Sequence, residues 1–291
     1  MTGSELTRRE RAPHCALVDK RTNIHTLFVI VGSIQFLVMS QGLIPTFTVM
    51  KHATSEVYVK KPTQTLKNFL QQHRRLHDPQ LAGASRGEDV EQVSEASSLL
   101  MLDLGITEKN CKQHRVLVVS SPYQKCLETA VIVSQVFGVE SFYVHFGLGE
   151  SVMSTLATGW DWASVPLYLS SSEMNQLVST KSRRGERKGK NRVSIAGFLG
   201  KPQSSADTGE NDREFTGRIH NTLDEIMKSL ERPGDHMIAI GHHDTITNFG
   251  KKYGDNLEIF EDQDCSFITF AVPSEKSCWV TGRSRLKFVP R

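Results

Sequence analysis

The chain has 291 residues, 38% of them hydrophobic and 23% charged. That is enough apolar material for a sizeable core in one large α/β domain or two small ones, and it excludes a disordered chain. A net charge of +3 and a pI near 8.5 give no nucleic-acid footprint and leave anionic small molecules open.

Residues 1–44 read as a separate segment. Met1–Arg21 is polar and mildly positive, whereas Thr22–Met50 carries no formal charge and Leu27–Leu43 is apolar apart from Ser33, Gln35, Ser40 and Gln41. This run is expected to be a membrane anchor with its basic flank facing the cytoplasm, although it falls slightly short of the roughly 20 residues of a spanning helix. A cleaved targeting peptide or an element packed on the domain are the alternatives, so the chain is placed at a membrane or in the cytoplasm.

Thr46–Glu56, TFTVMKHATSE, begins the body of the chain. Its β-type run of Phe47, Val49 and Met50 stops abruptly at Lys51-His52, a pattern that sets reactive side chains at the carboxyl end of a buried strand, where open α/β sheets bind ligands. Pro62 through about His73 has helical spacing, and Arg74 and Arg75 are its solvated end. Leu81–Gly87 reads as a loop, and Val90, Val93, Ala96, Leu99 and Leu100 define an amphipathic helix.

Val116–Val119 is all aliphatic, as a central parallel strand is, and it stops at Ser121-Pro122 before a helix carrying Lys125. Phe142–His145 is another strand, followed by a Gly-Leu-Gly turn and Glu150. Gly159–Leu177, with Trp160 and Trp162, has no clean period and is expected to be an irregular cap over the pocket. Lys181–Arg192 holds seven Lys or Arg against one Glu and is expected to be a solvated loop, as is Ser204–Asp212. Phe215–Leu230 is helical, with Ile219, Leu223, Ile226 and Met227 on one face. Strand Met237–Ile240 ends in Gly241-His242-His243-Asp244, and Ser266–Val272 and Cys278–Val280 read as closing strands. Five scattered cysteines without a C-x-x-C pair argue against a zinc site or a disulfide framework. Cys126 is expected to pack its helix on the sheet, with no chemical role. The order of elements gives a layered α/β domain over residues 45–291, with a cap insertion at about 150–210.

Three strands thus deliver His52, Lys125 and His242 to one sheet edge. Lys51-His52-Ala53, Ser121-Pro122 with Lys125-Cys126 and Glu128-Thr129-Ala130, and the strand-end His242 resemble the histidine phosphatase, or phosphoglycerate mutase-like, superfamily. Gly147-Leu148-Gly149-Glu150 and Ser172-Glu173-Met174 are similar to the phosphatase domains of the suppressor-of-T-cell-receptor-signalling proteins. The resemblance implies a three-layer α/β/α sandwich with a mostly parallel sheet and phosphomonoester hydrolysis through a phosphohistidine, with no metal or cofactor. It also implies the roles: His52 as nucleophile, Glu150 as proton donor, and Lys51, Lys125 and His242 as clamps on the phosphoryl oxygens. Asp244 is the competing proton donor. The implied partner is a phosphorylated substrate, a phosphoprotein or small phosphomonoester, and not nucleic acid. Residues 27–43 against a membrane, and a second copy of the chain, are further candidate partners.

Both arginines of the family pattern are lysines here, and its glycine is Ala53. Lysine is a point charge where arginine is a planar fork. Losing one charged hydrogen bond of roughly 1.5–3 kcal/mol per site implies a slow enzyme, with a catalytically impaired phosphate-binding scaffold as the rival and a phosphoglycerate mutase as a third reading.

Overall fold

The computed structural model describes residues 45–53, 87–107, 110, 113–150, 169–186, 189–202, 210–230, 232, 234–254, 259–272 and 279–288. The anchor reading of Leu27–Leu43, the helix after Pro62, the Leu81–Gly87 loop ahead of its final residue, and Trp160 and Trp162 lie outside the described residues. Among the described residues no helix is long and apolar enough to cross a membrane.

Seven strands form one sheet in the order β4-β3-β2-β5-β1-β6-β7. They are β1 (Thr46–Lys51), β2 (Arg115–Ser120), β3 (Ser141–His145), β4 (Ser194–Leu199), β5 (Asp235–Gly241), β6 (Ile259–Ala271) and β7 (Trp279–Phe288). The first five in spatial order pair in parallel, and β6 and β7 close one edge as an antiparallel pair. Among the described residues five helices flank the sheet: α1 (Gly87–Asp103), α2 (Gln124–Phe137), α3 (Ser171–Glu186), α4 (Asp212–Met227) and α5 (His243–Tyr253).

The period-2 alternation of strand side chains divides the core between two faces. Met50, Val118, Ile238 and Ile240 pack with Val93, Ala96 and Leu100 of α1, Leu127, Ala130 and Val131 of α2, and Met174, Leu177 and Val178 of α3. Phe47, Val49, Met237, Ala239 and Phe270 pack with Ile219, Leu223 and Ile226 of α4 and Phe249 of α5. The result is a three-layer α/β/α sandwich whose central strands are apolar on both faces. Phe249 meets Phe47 and Phe270 edge-on, with ring centroids 4.9 and 4.8 Å apart, an arrangement the aromatic quadrupole favours.

The expectations for Gly159–Leu177 and Lys181–Arg192 are corrected. The first stretch is not irregular to its end, because it is helical from Ser171 and buries Met174 and Leu177 in the core. Lys181–Arg192 is not simply a solvated loop, because α3 runs through Glu186. Its residues 174, 177, 178 and 181 repeat at helical spacing, and Lys181 is buried against α2 with its ammonium 2.8 Å from Glu128. Charge density hid this amphipathic face. Strand β4 was not anticipated either, since as an edge strand it is partly exposed along its length and carries no run of buried apolar residues.

Candidate active site

Strand register builds the site. Lys51 lies opposite Gly241 across the β1–β5 pair, and Ser120 lies opposite Ile240 across β2–β5. One residue further, three strands therefore end side by side at Ser121, His52 and His242. The His52 N–H donates to the Gly241 carbonyl at 3.0 Å and the Ser121 N–H to the Ile240 carbonyl at 2.9 Å, carrying the ladder one step past the strands. On the far side β6 is irregular between Asp262 and Phe267, with Cys265 in the left-handed region at φ 58°. This distortion aims the Cys265 N–H at the His52 carbonyl, 3.3 Å away. A non-glycine residue held there marks a locally over-determined backbone.

The two imidazoles face each other edge to face with centroids 5.4 Å apart. Nδ1 of His52 lies 2.6 Å from the Ala53 carbonyl. A carbonyl only accepts, so Nδ1 carries the proton and Nε2 keeps its lone pair. The Ala53 N–H donates to Thr129 Oγ1 at 3.1 Å, and that hydroxyl donates to the Lys125 carbonyl at 2.8 Å. The turn that carries His52 and Ala53 is thereby tied to α2.

His242 is almost fully buried. Its Nε2 is 2.9 Å from Ser121 Oγ and 3.6 Å from Cys126 Sγ, so the expectation that Cys126 only packs is corrected. Its Nδ1 is 3.2 Å from Glu150, an ion-pair approach that does not count as a hydrogen bond. The same carboxylate oxygen accepts from Lys125 Nζ at 3.0 Å. His52, Lys125, Glu150 and His242 therefore form one cluster.

Lys51, one residue before His52 on β1, has its ammonium 3.6 Å from Asp264 of β6, an ion pair with a residue that is not a member of the cluster. Of the two candidate acids, Glu150 is the one at ion-pair distance from His242, while Asp244 sits in the first turn of α5 and His243 is exposed.

Protonation states follow from these neighbours. Burial first, then the charges of Lys125 and His242, hold the His52 pKa well below 6.5, so the ring is neutral at pH 7. For His242 burial pulls downward, but the Cys126 sulfur and the Glu150 carboxylate push its pKa up to about 9, making it an imidazolium. Burial alone would raise the Glu150 pKa, yet His242 and Lys125 outweigh it and hold the carboxyl well below the usual range. A neutral imidazole thus stands beside two cations and one carboxylate.

Ligand atoms of His52, Glu150 and His242 lie within 4.8 Å of one another, close enough for a small metal ion to gather. The ammonium of Lys125 on the same carboxylate and the imidazolium of His242 both oppose a dication, and the charge arrangement suits an anion.

Sequence reasoning passed over Thr129, Asp264 and the helper role of Ser121. Thr129 and Ser121 lay within motifs already singled out, whereas Asp264 is brought in by the β6 irregularity and had no local signal.

No family model matches the chain, and no curated protein matches it. Among solved structures it is similar to a phosphoglycerate mutase of Bacillus anthracis, at 12% identity over 82% of this chain and 93% of that one, with a TM-score of 0.44. It is also similar to a phosphoglycerate mutase of Plasmodium falciparum, at 13% identity over 84% and 99% of the two chains, with a TM-score of 0.35. A proposed alpha-ribazole-5'-P phosphatase of Escherichia coli aligns at 9% identity over 81% and 94%, with a TM-score of 0.40. These likenesses are distant, and the chemistry of the site rests on its own geometry.

Proposed function

We propose that the chain is a metal-independent phosphomonoesterase of the histidine phosphatase type, acting through a phosphohistidine at His52. The observation that carries this reading is the tautomer of His52. Its Nδ1–H is committed to the Ala53 carbonyl and its pKa is depressed, so Nε2 is an unprotonated nucleophile at neutral pH beside the cations of Lys125 and His242.

In the first step Nε2 attacks phosphorus, the bond to the ester oxygen breaks, and a proton passes from the Glu150 carboxyl to the leaving oxygen. In the second, Glu150 as carboxylate takes a proton from water, whose oxygen attacks phosphorus as the bond to His52 breaks. Stabilising charge on the equatorial oxygens is the remaining task, and it falls to Lys125, His242 and Lys51. Because Glu150 is ionised at rest, it must gain its proton as the substrate binds. An incoming phosphate draws Lys125 to itself and adds negative charge, and both effects raise the proton affinity of the carboxyl. Activity is accordingly expected to favour mildly acidic pH.

Phosphotyrosine in proteins is the substrate class suggested by the motif resemblance to the suppressor-of-T-cell-receptor-signalling phosphatase domains. A second reading, an impaired phosphate-binding scaffold, is favoured by one observation: Lys125, standing where the family has arginine, spends one of its three N–H donors and part of its charge on Glu150 at 3.0 Å. Hydrolysis of para-nitrophenyl phosphate without added metal separates the two, with His52→Ala as control. Loss of turnover in the variant, with acid-labile phosphate trapped on the wild type, is the expected result. Equal rates for both proteins favour the scaffold, and stimulation by bisphosphoglycerate favours a mutase.

A further inference from the structure

Glu150 follows a short 3-10 turn, Phe146–Leu148, and Gly149, and one face of α4 grips this segment. Three α4 residues at helical spacing, Arg218, Thr222 and Glu225, do so. Arg218 Nη1 donates to the carbonyls of Gly147 at 2.7 Å and Gly149 at 3.2 Å. Thr222 packs so closely that a Cβ at position 147 would collide with its hydroxyl. Glu225 lies 3.5 Å from His145 Nε2, and the His145 ring in turn accepts the Gly147 N–H at 3.0 Å.

Arg218 is itself held. Its Nε and Nη2 donate to the two oxygens of Glu210 at 2.7 and 2.8 Å, and its guanidinium stands 5.0 Å from the Phe215 ring. Both partners of this fork are largely buried, at 18% and 11% side-chain exposure. A planar bidentate pair of this kind fixes orientation as well as charge. The Gly149 carbonyl belongs to the peptide that leads directly into Glu150.

We propose that Arg218, locked on Glu210, is a positioning residue for the proton donor: by holding the Gly147 and Gly149 carbonyls it fixes Glu150 between Lys125 and His242. The proposal rests on the role given to Glu150 above, but the placement of that carboxylate can be read without turnover.

Two measurements test it on the full chain. With Arg218→Met, kcat for phenyl phosphate, whose leaving group needs a proton, falls about tenfold further than kcat for para-nitrophenyl phosphate, whose leaving group needs little help. Combining it with Glu150→Gln adds no further loss, because both act on one interaction. In NMR titration the His242 imidazole moves down toward its ordinary range in Arg218→Met, as it does in Glu150→Gln. Glu210→Gln, which keeps the arginine and weakens its lock, shifts both readouts the same way and serves if Arg218→Met does not fold.

Equal losses on both substrates together with an unmoved His242 titration would overturn the proposal and leave Arg218 a structural residue. Absence of any His52-dependent turnover in the wild type would sink the phosphatase reading instead, and the His242 titration would still decide the clamp.

Discussion

Replacing Glu150 by Gln removes one negative charge and almost no volume, and its effect can be worked from the two contacts of that oxygen. The carboxylate lies 3.2 Å from His242 Nδ1 and 3.0 Å from Lys125 Nζ. At an effective dielectric constant of ~20 the attraction to His242 is about 5 kcal/mol. Breaking a buried pair by removing one partner typically costs roughly 3–5 kcal/mol. At 1.36 kcal/mol per pKa unit that is about 2–4 units, enough to bring His242 from about 9 to near neutrality or below. Losing the general acid also removes a factor of about 10²–10⁴ in rate. Steady-state kinetics on phenyl phosphate and the His242 proton titration measure the two effects separately. Retention of kcat within about twofold, or an unmoved His242 titration, refutes this account of the site. So does loss of activity in Asp244→Asn with Glu150→Gln still active, which transfers the acid to Asp244.

Lys125→Met removes the ammonium nearest the carboxylate and should weaken competitive inhibition by inorganic phosphate by about tenfold to a hundredfold, the worth of one charged hydrogen bond. Lys181→Met, which breaks the buried pair with Glu128, should instead lower Tm and leave phosphate inhibition unchanged. Gly147→Ala should destabilise by roughly 1–3 kcal/mol through overpacking against Thr222, and Thr222→Ala should restore most of this in the double variant, as denaturant midpoints would record. Stability should also depend on pH at two residues of opposite sign. The raised His242 pKa contributes stability that is full below about 6.5 and lost as pH rises through about 9. The depressed His52 pKa contributes stability present above 6.5 and lost as pH falls below it. Thermal melts of His242→Gln and His52→Gln should flatten the alkaline and acidic limbs respectively.

Local sequence decided much of this protein. Phe47–Met50, Val116–Val119 and Met237–Ile240 are runs apolar but for Thr48 that stop at charged or polar residues, and a strand buried on both faces has few other ways to be written. The residues where those runs stop, His52, Ser121 and His242, are the ones the sheet brings together. The faces of α1, α2 and α4 were likewise written in apolar spacing. Other features depended on pairing across the chain. Strand β4 lies at an edge and needs no buried run, and α3 conceals its apolar face beneath a dense set of cations. The fork of Arg218 on Glu210 and the pairing of Lys51 with Asp264 join residues whose neighbours in sequence carry no signal of either contact. The ionisation of the site was also settled in three dimensions. An imidazole is neutral or charged according to the groups around it: burial, with the charges of Lys125 and His242, made position 52 the neutral base, and Cys126 and Glu150, outweighing burial, made position 242 the cation.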